Sequence, residues 1–294
     1  TDADFVAQGV IVNAIQSVSQ DVRIVGEESP EEMARHSAAD STTAEQHDDI
    51  LQRTKDELRV LYHHHRDSSF ALPERLPLAQ GPPTDSTFDI PEDPADCQVE
   101  ASRLTVIVDP LDGTKSYAHE EYDAVSILIG IVLDNEPVFG VIGKPFGYTG
   151  LSNILDTECA TVYGGSLIKS VCTAGGRQLE PPLTKEQPRA VISKSRSEGI
   201  VEDFCVFLGT KGLIDSEPMM VAGAGEKSLR LILQHSNEGL WFFPRPGTSR
   251  WDVAAPDAML RALNGRLTDK HGNDLDYSKR REDAENVDGI VASS

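Results

Sequence analysis

Leu104-Thr105-Val106-Ile107-Val108-Asp109-Pro110-Leu111-Asp112-Gly113-Thr114 runs an uncharged, β-branched stretch into two carboxylates and a hydroxyl. Leu104 to Val108 reads as a buried strand, since nothing in it needs water on either face. The six residues from Asp109 to Thr114 read as a tight turn, with Pro110 fixing one backbone torsion and Gly113 releasing another. On such a turn Asp109, Asp112 and the Leu111 carbonyl can converge on one or two hard cations. Oxygen-only ligation favours Mg²⁺, Mn²⁺ or Ca²⁺ over zinc. Taken alone, the hexapeptide is also ordinary turn chemistry, so its neighbours must decide.

Two further acidic elements stand at comparable places. Val25-Gly26-Glu27-Glu28 closes a stretch, Asp21 to Val25, that reads as strand, and Trp251-Asp252-Val253-Ala254-Ala255-Pro256 puts an aspartate at a helix start. Each has a plain alternative: Glu27-Glu28 as a solvated charge run continued by Glu31 and Glu32, and Asp252 as a helix N-cap.

Outward from these motifs, helix and strand alternate. Val6, Val10, Ala14 and Val18 recur at helical spacing, and Ile50, Leu51, Leu58, Leu61 and Tyr62 mark a second amphipathic helix behind the capping candidates Ser41-Thr42-Thr43. Asp67 to Asp96 is rich in proline and polar residues and reads as a long surface excursion. Strands are expected near Leu104–Val108, Val125–Leu133 and Pro137–Ile142. Glycine and proline accumulate between Tyr163 and Pro188, and the boundary is placed there, giving subdomains 1–165 and 166–294. The second holds an expected strand at Ala190–Ile192, helices at Ile200–Leu208 and Glu226–Leu233, a strand at Leu240–Phe243, and a helix from Trp251 to Asn264-Gly265 with Val253, Met259, Leu260 and Leu263 on its apolar face. The alternation predicts an α/β chain.

A formal net charge of −21 over 294 residues argues against nucleic-acid polymers and anionic membranes, and there is no apolar run of membrane-spanning length. A small phosphorylated molecule can still bind where cations reverse the local sign. Cys97, Cys159, Cys172 and Cys205 show no Cys-x-x-Cys spacing, which predicts reduced thiols and a cytoplasmic protein without a leader peptide. His63-His64-His65 would point to different faces of a helix, His119 reads as a surface residue, and Trp241 with Phe242-Phe243-Pro244 reads as core.

The chain as a whole resembles the inositol monophosphatase superfamily of Mg²⁺-dependent, Li⁺-sensitive phosphatases, and within it the 3′(2′),5′-bisphosphate nucleotidases. The resemblance rests on Thr1-Asp2-Ala3-Asp4 with Ala7-Gln8, Gly26-Glu27-Glu28, Val108 to Lys115, Ile127 to Ile131, and Gly140-Val141-Ile142 with Lys144-Pro145. It continues through Ala222-Gly223-Ala224-Gly225 with Lys227, Trp251-Asp252, Gly265 to Asp269, and His271-Gly272-Asn273. It implies an α+β layered sandwich, alternating helix and sheet layers, with the metal site between two subdomains. It also implies that the chain begins inside its natural protein, since such proteins usually carry more helix before the Thr-Asp-Ala-Asp element.

By the same resemblance, Glu27, Asp109 and the Leu111 carbonyl hold one Mg²⁺, and Asp109, Asp112 and Asp252 a second. Glu28 serves an outer or third-ion role, Mn²⁺ substitutes, and Li⁺ and Ca²⁺ inhibit. Thr114, backed by Asp4, orients the attacking water, with Glu27 counted in the catalytic set. Gly113 and Thr114 border the substrate, and Ser193, Ser195 and Arg196 meet its sugar and second phosphate, with Arg196 standing where nucleotidases often carry histidine. Gly223, Lys227 and Arg250 are expected to contact a phosphate. The implied reaction removes the 3′-phosphate of adenosine 3′,5′-bisphosphate. The alternatives are an inositol polyphosphate 1-phosphatase or an enzyme of both specificities, an inactive metal- or ligand-binding protein, and a Ca²⁺-stabilised structural domain.

Overall fold

The computed structural model describes residues 1–39, 99–146, 160–165, 170–173, 178–179, 187–233 and 237–294. The expected helix over Ile50 to Tyr62, the three adjacent histidines and the segment from Asp67 to Asp96 lie outside the described residues. The chain divides into two compact units, Thr1–Met33 with Val99–Ser294, and Ala34–Gln98; both sheets belong to the first.

In chain order the described elements are α1 (Asp2–Val18), β1 (Arg23–Gly26), α2 (Pro30–Ala39), β2 (Leu104–Asp112), α3 (Thr114–Ala118), β3 (Ser126–Leu133), β4 (Glu136–Lys144), β5 (Ala160–Gly165), β6 (Ser170–Thr173) and β7 (Gln178–Leu179). There follow β8 (Arg189–Ser193), α4 (Ile200–Thr210), β9 (Met219–Val221), α5 (Ala224–Leu233), β10 (Glu238–Phe243), α6 (Arg250–Ala262), β11 (Arg266–Thr268) and β12 (Ile290–Ser293).

Strands β1 to β7 form one sheet in sequence order, with β1 parallel to β2 and every later pair antiparallel. The other sheet has the order β11-β12-β10-β8-β9, parallel at β10-β8 and β8-β9 and antiparallel at the other pairings. The fold is therefore mixed α/β, two sheets with helices packed on them. The change from one sheet to the other falls between Leu179 and Arg189, because β6 and β7 carry the first sheet beyond residue 165.

Helix α6 is the element that most directly explains the core. Val253, Ala254, Ala255, Met259 and Leu260 are buried, and α6 lies across β2 to β5. It can sit this close because β4 offers Gly140 beneath it: a Cβ there would come within 2.3 Å of the Ala255 carbonyl oxygen. β3 alternates buried and half-buried residues as a one-sided strand should, whereas β8 is buried from Ala190 to Ser193.

Candidate functional site

The acidic turn expected after Val108 is a bulged strand end. β2 pairs with β3 through Asp109 opposite Leu128, and the next pair is Asp112 opposite Ser126, so three steps on β2 answer two on β3. In a regular strand residues three apart face opposite sides, and one extra residue turns Asp109 and Asp112 toward the same side. Pro110 suits the bulge because it has no N–H to donate to the ladder. The Asp109 carboxylate accepts the Leu111 N–H at 3.1 Å. Gly113, at φ 84°, then turns the chain into α3.

A third carboxylate comes from α6. Ser249 is the N-cap and Asp252 the third helical residue, in a reciprocal capping box in which Asp252 Oδ2 accepts the Ser249 N–H at 2.5 Å. Oxygens of Asp109, Asp112 and Asp252 all lie within 4.8 Å of one another. Asp112 is the most tightly held: Oδ1 accepts the Ala224 N–H at 2.9 Å, and Oδ2 accepts the Gly225 N–H at 2.7 Å and the Ser126 hydroxyl at 2.8 Å.

Glu27 follows β1 and reaches this group from the next strand. Its N–H donates to the Val108 carbonyl at 3.0 Å, and its carbonyl accepts Arg281 Nε at 2.8 Å. The Gln8 side chain pairs with Glu28 like a strip of sheet, donating to its carbonyl at 2.7 Å and accepting its N–H at 2.9 Å. Glu27 stands beside Asp109, outside the tight triplet.

Burial, followed by repulsion from Asp112, Glu27 and Asp252, holds the Asp109 carboxyl well above its usual range. Burial also raises Glu27 to about 7, against the pull of its hydrogen bond with Asp109 and with added repulsion from Asp252, Glu28 and Asp4. Asp252 is likewise pushed up to about 7 by burial and then by Asp112. Several carboxylates crowded together out of water need either protons or a cation to neutralise them. The donors are all oxygen, so the residues present fit a hard divalent ion.

The Thr114 hydroxyl lies 3.2 Å from Asp4 Oδ1 and 3.0 Å from the Leu111 carbonyl, two acceptors for one proton. Asp4 is buried and is the third residue of α1, in a capping box with Thr1. Thr114 opens on a cleft of about 590 Å³, which Asp4, Leu111, Asp109 and Glu27 do not border. Asp112, Gly113, Thr114 and Asp252 border it, with Ser193 at the end of β8, Ser195 and Arg196 from the turn that follows, and Gly223 and Lys227.

Several expectations change at this level. The Ala224 and Gly225 amides that follow Gly223 donate to Asp112. Lys227 turns back onto the Gly223 carbonyl at 2.6 Å and lies over Trp241, 5.4 Å from the ring centroid; burial lowers its pKa to about 8, although Asp112 and Asp252 pull the other way. Arg250 does not border the cleft: it is buried, donates from Nε to the Asp276 carbonyl at 2.8 Å, and faces Tyr277. Asp252 is an inner helical residue, and the N-cap is Ser249.

Trp241 and Phe243, read as plain core, are buried yet also border the cleft, as do His119 and Thr248. The period of two along β10 places Trp241 and Phe243 on one face, the one available signal for them. Arg196 lies over the Phe243 ring at 4.8 Å and donates to the Gly247 carbonyl at 2.6 Å. Lys194 and Glu121 meet across the mouth at 3.1 Å, a contact between distant segments with no local signature in the sequence.

Residues 1–293 match the family model described as the inositol monophosphatase family. A mouse protein named 3′(2′),5′-bisphosphate nucleotidase 1 is 32% identical over 181 residues, which is 62% of this chain and 54% of that protein. The matched part therefore spans about half of that relative's length. A Dictyostelium discoideum protein of the same name is 26% identical over 99% of this chain and 80% of its own, and a zebrafish (Danio rerio) protein named inositol monophosphatase 3 is 29% identical over 68% of this chain and 55% of its own. Among solved structures, CysQ from Bacteroides thetaiotaomicron, described as a bacterial member of the inositol monophosphatase family, superposes with a TM-score of 0.53 at 20% identity, covering 65% of this chain and 70% of that one.

Proposed function

Because this chain belongs to the inositol monophosphatase family, we propose that it is a divalent-metal-dependent phosphomonoesterase that converts adenosine 3′,5′-bisphosphate and water to AMP and phosphate. The observation that carries this reading is the meeting of Asp109, Asp112 and Asp252 within 4.8 Å, with Asp112 and Asp252 bordering a cleft that Thr114, 3.2 Å from the buried Asp4, also borders. Glu27, Asp109 and the Leu111 carbonyl would hold one Mg²⁺, and Asp109, Asp112 and Asp252 another, with Glu28 near a third; Mn²⁺ substitutes, and Li⁺ and Ca²⁺ inhibit. When bound, the ions neutralise the phosphoryl oxygens and acidify water.

The chain's own groups do the rest. Thr114 Oγ1 takes a proton from the attacking water as its own proton passes to Asp4 Oδ1, 3.2 Å away. The water oxygen bonds to phosphorus, the bond to the 3′-oxygen breaks, and that oxygen is protonated from solvent. Lys194, Arg196 and Lys227 gather on the same cleft in a chain of net charge −21, which suits a substrate with a second anionic group. In this reading subdomain 1–165 supplies most of the ion ligands and 166–294 most of the substrate contacts, with Asp252 of the second joining Asp109 and Asp112 of the first. We infer a reducing compartment such as the cytoplasm from the cysteine spacing.

The zebrafish relative's name gives inositol phosphates a place in the test. Phosphate release with Mg²⁺ is compared for adenosine 3′,5′-bisphosphate, inositol 1,4-bisphosphate and inositol 1-phosphate, with Asp112→Asn as control. The nucleotide should be preferred, and the variant should lose about 100-fold or more of its turnover, as befits loss of an oriented metal ligand. Preference for the monophosphate rejects the nucleotidase reading; undiminished turnover in Asp112→Asn rejects the ligand assignment.

A further inference from the structure

We propose that Lys144 is a positioning residue for the metal centre, tying together from behind the cleft the two segments that fix the Asp112 carboxylate. The inference rests on the metal-centre reading above. Lys144 ends β4, is 1% exposed and does not border the cleft. Its Nζ donates to the Asp123 carbonyl at 2.5 Å and to Glu226 Oε2 at 3.1 Å. Asp123 belongs to the short 3₁₀ turn Tyr122–Ala124 that leads into β3, and Glu226 lies in the first turn of α5.

Both segments end on Asp112. The 3₁₀ turn leads to Ser126, whose hydroxyl donates to Asp112, and α5 begins with the Ala224 and Gly225 amides that donate to it. The packing between them leaves no slack. The Ala124 carbonyl sits where a Cβ on Gly113 would be 2.8 Å away and one on Gly223 2.4 Å away; a Cβ on Gly225 would fall 2.1 Å from the Ser126 hydroxyl. Gly113 separates Asp112 from Thr114, and Gly223 precedes the donating amides, so a movement of either segment is a movement of the carboxylate.

Glu226 is held from its other side by Arg230 Nε at 2.9 Å, and Arg230 approaches Glu238 of β10 at 3.9 Å. A line of charged side chains, buried except for the half-buried Arg230, thus runs from β4 through α5 to the second sheet. A buried pair of this kind is a poor source of net stability, because desolvation offsets most of the attraction. Its contribution here is to geometry: an ammonium with several donors holds a carbonyl and a carboxylate on different elements at one distance.

The test uses the full chain, Mn²⁺ as the probe, calorimetric titration for binding and thermal unfolding for stability, on the wild type, Lys144→Met and the double variant Lys144→Met with Glu226→Gln. Lys144→Met should unfold earlier and bind Mn²⁺ about tenfold or more weakly, the loss usual when a group orienting a metal ligand is removed. The double variant removes the buried Glu226 charge that Lys144→Met leaves with Arg230 as its partner, so its unfolding temperature should recover in part while its Mn²⁺ binding stays weak. Should Lys144→Met not fold, the double variant carries the test. Wild-type Mn²⁺ affinity in either folded variant overturns the positioning role and leaves the metal centre intact. Absence of Mn²⁺ binding in the wild type overturns both.

Discussion

At the scale of single residues, Glu27 and Asp252 record how strongly the acidic cluster resists carrying its full charge out of water. Both sit at about 7 in the folded chain, above ordinary values of 4.5 and 3.8. Below those ordinary values folded and unfolded chains hold the same protons. As pH rises toward about 7 the unfolded chain releases them and the folded chain resists, so the stability contributed by these two groups is progressively lost. A bound divalent ion reverses that loss because it stabilises the charged form. The difference in unfolding temperature between Mg²⁺ and EDTA should therefore be small at acidic pH near 5 and widen by about pH 8. A difference that stays constant across that range would contradict the assignment of these carboxylates to the ion site. The acidic members were legible in the sequence because each lies beside its own local signal, a strand end for Glu27 and Asp109, a glycine for Asp112, a helix start for Asp252. Arg250 was misplaced because sequence proximity to Asp252 says nothing about which way a helix turns it.

At the scale of elements, the informative feature is the bulge. The apolar run of β2 announces the strand, but only pairing with β3 reveals that Asp109 to Asp112 gains a residue and turns both carboxylates inward. The longer patterned elements, β3, β4, α5 and α6, lie close to their expected spans, since several turns or alternations of apolar spacing specify them. β9, β11 and β12 have three, three and four residues, too few for a period to register. The seating of α6 on the first sheet depends on Gly140. Gly140→Ala would drive a methyl to 2.3 Å from the Ala255 carbonyl, and because both partners are backbone, relief requires the helix to shift. The expected cost is about 1–3 kcal/mol, measured by urea unfolding, and a change below about 0.5 kcal/mol would show that α6 does not pack as described.

At the scale of the whole molecule, a chain of net charge −21 collects four basic side chains, Lys115, Lys194, Arg196 and Lys227, on the cleft that Asp112 and Asp252 border. No helix among the described residues is long and apolar enough to cross a membrane. The strand-end and helix-start motifs pointed to the family because they lie in the same order along nearly the whole chain, the extent over which the family model also matches. What the order could not convey was the cleft's far wall, where Trp241 and Phe243 of β10 face Lys115 and His119 only after both sheets are built. The account as a whole stands on carboxylates from two sheet strands and one helix acting together as a cation site. The most direct measurement is anomalous diffraction from crystals of this chain soaked in Mn²⁺. Density between Asp109, Asp112 and Asp252, extending toward Glu27, is the predicted result; well-diffracting soaked crystals with no anomalous density there would contradict it.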